Sequence, residues 1–179
     1  MTDKLNLTAE NHVERDRRLD YWSTDGLGGR SHSTDEWVKI ILSIRHQIEL
    51  PEMLQDMFDR ARACMVYGCY HYPLFTLGSE ELFRFGESAF REAIKEFGAS
   101  KTVLEKPYAQ LQKWAHDHGL TDDDAAKRWK ASRFLRNTTS HKDSTLLLGP
   151  NDALDQLYIT VELTEALFEA CRSRGQPSA

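Results

Sequence analysis

Apolar residues recur every three or four positions over most of the chain, which is the spacing of helices that are buried on one side. The first such stretch begins at Ser33 with capping residues and early acids, and it is predicted to end near Pro51. Pro51 suits the first turn of a second helix, which is predicted to stop at the segment 70–73. A third helix is expected over about 75–97, with Gly98 as its natural stop.

Two shorter helical patterns follow a linker that is expected to reach Pro107. The first is predicted over 108–118 and is closed by Gly119. The second has Thr121 as its expected cap and runs at least to Arg136.

A last helix is predicted after residues 149–150, with Asn151 or Asp152 as its cap. Its apolar surface is wide, so the helix is expected to be central in the fold or shared with a second subunit. Among the residues expected on one face are Leu154, Leu157, Tyr158, Val161 and Phe168. Because no alternating strand pattern is found, the sequence predicts an all-α fold, an up-and-down bundle of about five to six helices.

The patterns also suggest how the chain is divided. Residues 1–32 are polar and are interpreted as an N-terminal extension, 33–174 as one helical domain, and 175–179 as a disordered tail. The extension is expected to dock either on this domain or on a partner chain. The residues available for docking are Leu19, Tyr21 and Trp22.

Composition fits a packed intracellular domain. Of the 179 residues, 40% are apolar and 28% are charged, which is close to ordinary globular proteins. No apolar stretch is long enough to span a bilayer or to serve as a signal peptide, so a cytoplasmic protein without a membrane partner is expected. The three cysteines are an odd number with poor spacing for a disulfide framework and are interpreted as reduced thiols.

Several chemistries are excluded by spacing. The run 116–118 holds two histidines, but its neighbouring side chains point to different helix faces, whereas two ligands on one helix need a spacing of three or four. The cysteines fit no usual zinc pattern either, so no metal and no cofactor are expected. The adjacent acids Glu80 and Glu81 are interpreted as residues that favour a helix start.

The segment 127–141 reverses the sign of an otherwise acidic protein, because it contains no acid although the chain carries a formal net charge of -5. Such a local patch suits a phosphate backbone, and an aromatic residue within it would stack on an exposed base. Basic residues toward a helix end are equally consistent with the helix dipole. The RNA-binding candidates are Lys127, Arg128, Trp129, Lys130 and Arg133.

Arg136 and His141 lie toward the C-terminal end of this segment. On a continuous helix, five residues separate two side chains by roughly 140° and about 7.5 Å, so they would not share a face. The hydroxyl residues 138–140 compete for backbone hydrogen bonds and favour an end or a distortion of the helix between the two. Their side chains would then converge. A purely structural role, with Arg136 in a last turn and His141 bonded to a loop carbonyl, is the alternative.

The run Leu135-Arg136-Asn137-Thr138-Thr139-Ser140-His141 resembles the Arg-x4-6-His signature of the HEPN superfamily, including the polar residue directly after the arginine. The setting is also similar, because the run follows a helix containing Trp129 and Phe134 and precedes one long final helix. The resemblance covers about residues 35–174 and leaves the N-terminal extension outside.

The resemblance implies a helical bundle that commonly dimerises, and many members are metal-independent endoribonucleases of toxin–antitoxin, antiviral abortive-infection or RNA-processing systems. It implies catalytic roles for Arg136, Asn137 and His141, with RNA as substrate and an antitoxin or other regulatory protein as a further partner. Other members have lost activity and serve as interaction modules. The competing hypotheses are therefore an RNA-cleaving enzyme and a non-catalytic module for dimerisation or partner binding.

Overall fold

The computed structural model describes residues 8–22, 32–139 and 148–174, and within these ranges the fold is all-helical, without strands. This confirms the predicted all-α bundle. A 3-10 helix at Arg17–Tyr21 precedes seven α-helices in the described ranges. They are α1 (Thr34–Ser43), α2 (Glu52–Gly68), α3 (Pro73–Glu96), α4 (Lys101–Leu104), α5 (Tyr108–Asp117), α6 (Asp123–Thr139) and α7 (Pro150–Arg174).

Helix α3 is the centre of the bundle. It packs most extensively against α2 and α7 and also contacts α5 and α6. Glycines allow two of these close approaches: a Cβ at Gly78 would lie 2.6 Å from Cγ of Met65 in α2, and a Cβ at Gly86 would lie 3.3 Å from Cζ3 of Trp129 in α6. The small residues of α3 therefore determine how closely α2 and α6 pack against it.

Trp129 fixes the position of α6. Its side chain is only 2% exposed and packs edge-on against Phe90 of α3, with the ring centroids 5.2 Å apart. The Gln112 side chain of α5 donates a hydrogen bond of 3.0 Å to the carbonyl oxygen of Trp129. Helix α6 is thus tied to both α3 and α5 at the same residue.

The described part of the N-terminal extension packs on the domain. Leu19 is fully buried in the core, in agreement with the first of its two docking alternatives, and Trp22 lies against Gly149 and Tyr72. Tyr21, in contrast, is 88% exposed and docks nothing within the described ranges. The predicted tail at 175–179 lies outside the described residues.

A buried carboxylate anchors this extension. Asp16 is 2% exposed, and its side chain accepts hydrogen bonds from the Tyr72 backbone N–H at 2.8 Å and from Nη2 of Arg18 at 2.6 Å. Its own N–H donates to the carbonyl oxygen of Cys69 at 3.0 Å. The extension is therefore bonded to the connection between α2 and α3.

Helix α1 is shorter than predicted, because it ends at Ser43 and not near Pro51. A tertiary contact caps its last turn: Nη2 of Arg62 in α2 donates to the carbonyl oxygen of Leu42 at 2.6 Å, a group that a helix end leaves without an intrahelical partner. After α1, the ring of His46 packs against aromatic rings of α2 and α3. The ring centroids of His46 and Phe58 are 4.5 Å apart. Burial lowers the pKa of His46 to about 4.

The expected cap of α6 is also wrong. The carboxylate of Asp122, not Thr121, accepts from the N–H of Ala125 at 2.8 Å, and the Thr121 hydroxyl is buried. The predicted linker after α3 contains the short helix α4.

The last helix begins at Pro150, which precedes both proposed caps, Asn151 and Asp152. Asp152 reaches back and accepts from the N–H of Gly149 at 2.8 Å. Tyr158 is 55% exposed and does not belong to the buried face on which it was predicted. Leu154, Leu157 and Phe168 are buried as expected.

The three cysteines are free thiols. Cys69 and Cys171 are buried, and burial raises their pKa values to about 11 and about 12. No helix in the described ranges is both long enough and apolar enough to cross a membrane.

Candidate functional site

The candidate site residues lie on two faces of the C-terminal half of α6. Helical spacing places Ala126, Lys130, Arg133 and Asn137 along one face of the helix. Arg136 lies about 100° from Asn137, on the side that meets α3. Arg136 and Asn137, the first two residues of the motif, therefore lie on different sides of α6 near its C-terminal end.

Arg136 is held by a carboxylate that the sequence did not single out. Its Nη1 donates to Oε2 of Glu87, which lies in the middle of α3. The Arg136 side chain nevertheless keeps 36% of its surface exposed, whereas Glu87 keeps 20%. The guanidinium is thus both anchored to the bundle and reachable from solvent.

A second arginine shares the same carboxylate. Nη2 of Arg91, one turn further along α3, donates to Oε1 of Glu87 at 2.8 Å. Nη1 of Arg91 donates to the carbonyl oxygens of Leu104 and Lys106 in the connection to α5. Arg91 therefore fixes the carboxylate that in turn fixes Arg136, and we call Glu87, Arg91 and Arg136 the Glu87 cluster.

The charges in the Glu87 cluster do not cancel. Two guanidinium groups face one carboxylate, so the three side chains together carry a net positive charge. Arginine remains charged at any physiological pH and presents a planar fork that matches phosphate oxygens. The partly exposed guanidinium of Arg136 is therefore a group of the kind that binds an anionic ligand.

Tyr108 lies close enough to the cluster to feel its charges. Its side chain is 8% exposed, and it packs edge-on against Phe90 with the ring centroids 5.6 Å apart. Burial raises the pKa of its hydroxyl above the usual range, Glu87 adds to the rise, and Arg136 and Arg133 oppose it. Tyr108 therefore stays a neutral phenol and contributes no charge.

The rest of the motif lies at the end of α6. Asn137 is exposed, and the Thr138 hydroxyl donates to the carbonyl oxygen of Phe134 at 3.0 Å. The helix continues to Thr139 and so does not end directly after Arg136. His141 lies outside the described residues, as does Ser140, so the predicted convergence of Arg136 and His141 stays a prediction.

The four basic RNA-binding candidates of α6 fall into two groups. Lys127 and Lys130 are exposed, Arg133 is half-buried, and none of the three side chains forms an ion pair with a described residue. Arg128 makes a two-pronged ion pair with Glu162 of α7, at 2.7 and 2.6 Å. Its charge is therefore neutralised locally.

The prediction that Trp129 stacks on a base is wrong for this fold. Its ring is buried between α3 and α6 and offers no face to a ligand. The exposed aromatic residue of α6 is Phe134, with 69% of its surface accessible.

Sequence reasoning missed Glu87, Arg91 and Tyr108. One local signal existed, because Glu87 and Arg91 have the four-residue spacing of a helical ion pair with the acid first. Nothing in the sequence connects that pair to Arg136, which is 49 residues away from Glu87.

The described ranges contain no group of three His, Cys, Asp or Glu side chains placed to hold a metal ion. In comparisons with known proteins, no family model, no curated protein and no solved structure matches this chain.

Proposed function

We propose that this protein is a metal-independent endoribonuclease of the HEPN type, in which Arg136, Asn137 and His141 act on a phosphodiester bond of RNA. The observation that carries the proposal is the placement of Arg136, which is anchored by Glu87 and still exposed to solvent beside the polar Asn137. Resemblance of the motif to the HEPN signature supplies the reaction class.

In the proposed reaction the ribose 2′-oxygen attacks the adjacent phosphorus, and the bond from phosphorus to the 5′-oxygen breaks. His141 takes the proton of the 2′-hydroxyl or delivers one to the leaving 5′-oxygen, since imidazole is the side chain that changes protonation near neutral pH. The products are a 2′,3′-cyclic phosphate and a 5′-hydroxyl.

Arg136 stabilises the charge that develops on the phosphate oxygens during this attack. Its anchor supports that role, because a guanidinium already held by Glu87, which Arg91 fixes in turn, loses less side-chain freedom on binding. Asn137 orients the phosphate or one of the other two groups through its amide.

Cleavage of RNA is expected to be fully retained in EDTA, because the proposed chemistry uses no metal ion. The assay is incubation of the purified protein with assorted RNAs with and without chelator, followed by analysis of the RNA termini for cyclic phosphate. Loss of activity in EDTA with recovery on adding magnesium or manganese is the result that rules out the roles given to Arg136 and His141.

We also propose that the protein acts as a homodimer in which the motif regions face one cleft. Phe134 supports this, because a large aromatic side chain with 69% of its surface exposed lies one turn before the end of α6. An isologous interface would bring two copies of the motif together.

Light scattering at tens of micromolar is expected to give twice the chain mass, and Phe134→Glu is expected to shift the protein toward the monomer. Tyr67→Glu, on α2 and 61% exposed, is the matched control and should leave the mass unchanged. A monomer that cleaves RNA at the full rate would contradict a shared site.

The resemblance also suggests a biological role. In this proposal the protein is a toxin or an antiviral defence component of the cytoplasm, and an antitoxin or other regulatory protein restrains it.

The alternative function is that of a non-catalytic HEPN-like module. Its supporting observation is the same ion pair, since Arg136 and Glu87 join α6 to α3 and would do so without any substrate. A module should show no RNase activity.

A further inference from the structure

A pocket of 190 Å³ lies between α5 and α6, on the face of α6 that leads to Asn137. That volume is below the range of typical small-molecule sites and suits a single phosphate group better than a whole base. The lining residues that matter here are Gln112, Lys113 and His116 of α5 and Ala126, Lys130 and Arg133 of α6.

The two walls of this pocket differ in charge. On the α5 wall, the Lys113 ammonium pairs with Asp117 at 2.7 Å, and Nδ1 of His116 lies 3.0 Å from the carbonyl oxygen of Thr121. On the α6 wall, Lys130 and Arg133 have no ion-pair partner among the described residues. The positive charge available to a ligand therefore comes from α6.

The pocket lies about one helical turn from the candidate active site along α6. Residues three and four apart on a helix are neighbours, with Cβ atoms about 5–6 Å apart, so Lys130, Arg133 and Asn137 form one row along α6. Arg133 and Arg136 are also three apart. An anion held by Lys130 and Arg133 thus lies about one helical turn from a phosphate held by Arg136.

We propose that the pocket between α5 and α6 holds a backbone phosphate of the RNA substrate, next to the phosphate that is cleaved at Arg136. This inference rests on the proposed function. Arg133 grips the phosphate with its fork and Lys130 adds a point charge. With no Phe, Tyr or Trp in the lining and Trp129 buried, the contact positions the strand and does not read its sequence.

Two alanines of α6 allow a matched test. Ala126 lines the pocket, whereas Ala131 is exposed about 140° away on the outer side of the helix. Ala126→Glu and Ala131→Glu add the same acid to the same helix, and only the first adds it beside Lys130 and Arg133. Both are made with His141→Ala, so that the RNA remains intact during the measurement.

Binding of a short fluorescent single-stranded RNA is measured by anisotropy over a series of salt concentrations. We expect Ala126→Glu to weaken binding by about tenfold or more, and Ala131→Glu by about twofold or less. Lys130→Gln with Arg133→Gln should reduce the slope of log affinity against log salt by about 0.7, because one single-strand phosphate contact is lost. Lys130→Gln alone, on an exposed side chain, should reduce the slope by a smaller amount, and it shows whether the effect of the double variant comes from misfolding.

The outcomes separate this proposal from the nuclease itself. If the parent cleaves RNA but the two alanine variants bind alike and the salt slope does not change, the pocket assignment is wrong and the nuclease stands. If the parent does not cleave but the variants differ as expected, the pocket stands and the nuclease fails. A parent that binds no RNA at any salt, or that binds only an acidic peptide through this pocket, overturns the proposal.

Discussion

His141→Ala is expected to lower the rate of RNA cleavage by about 10²- to 10⁴-fold, because it removes the general acid–base group. The cleavage rate is measured in single-turnover experiments with saturating protein, so that it reports the chemical step and not RNA binding. His118→Ala, at an exposed position beyond α5, is the matched control and should cleave at the parental rate. Equal rates for parent and His141→Ala would remove His141 from the mechanism.

Arg136→Lys tests the other half of the same mechanism. Lysine keeps the positive charge beside Glu87 but gives up the planar fork, so RNA binding should fall modestly while turnover falls much further. Arg60→Lys is the matched control, because Arg60 pairs with Glu81 at 2.9 Å and so joins α2 to α3 outside the candidate site. If Arg136 served only to join α6 to α3, the two lysine variants would be equally active.

Thermal melts accompany these rates, because a side chain that only holds the bundle together abolishes activity by unfolding it. Variants that melt like the parent and have lost cleavage support a catalytic site. Variants that melt like the parent and cleave at its rate contradict it.

The sequence predicts best those helices that are followed by a local stop signal. Helices α3 and α5 are followed by Gly98 and Gly119, whose φ angles of 99° and 69° are costly for other residues. The end of α1 has no such signal. The residue that caps α1 is Arg62, which bonds the carbonyl of Leu42 and lies 20 residues further along the chain. The local pattern of apolar residues therefore does not indicate where α1 ends.

Helix α6 shows the same limit at the candidate site. It carries apolar side chains on more than one side, and periodicity does not determine which of Trp129 and Phe134 is buried. Trp129 is the buried one, and its ring packs closely on Gly86 and Phe90 of α3, which lie about 40 residues away in the sequence. The motif itself is local and can be found in the sequence, but its anchor Glu87 reaches Arg136 only through the packing of α6 on α3.

Asp16→Ala is expected to lower the free energy of unfolding by about 2–3 kcal/mol, although Asp16 lies in a segment that resembles a polar tail. The substitution removes a charged hydrogen bond to Arg18 and leaves the buried N–H of Tyr72 without its acceptor. Asp20→Ala is the matched control in the same segment. Asp20 pairs with Arg15 at 3.2 Å but is 61% exposed, so its loss should cost about 0.5 kcal/mol or less.

The acid dependence of this effect follows from the pKa of Asp16. Burial alone would raise that pKa, but the hydrogen bonds from Arg18 and from the Tyr72 N–H outweigh burial and lower it. Asp16 therefore contributes its full stability above the unfolded-state pKa of about 3.9, and the contribution is lost as the pH falls through the lower folded-state value.

Urea unfolding followed by tryptophan fluorescence measures this contribution, with Asp16→Asn as the variant that cannot ionise. The stability difference between the parent and Asp16→Asn should be largest near neutral pH and should narrow below about pH 4, as the parent carboxylate becomes protonated. A difference that stays constant down to pH values at which Asp16 is protonated would show that its charge does not hold the extension on the bundle. Equal losses for Asp16→Ala and Asp20→Ala at neutral pH would show that the extension is not anchored at Asp16 at all.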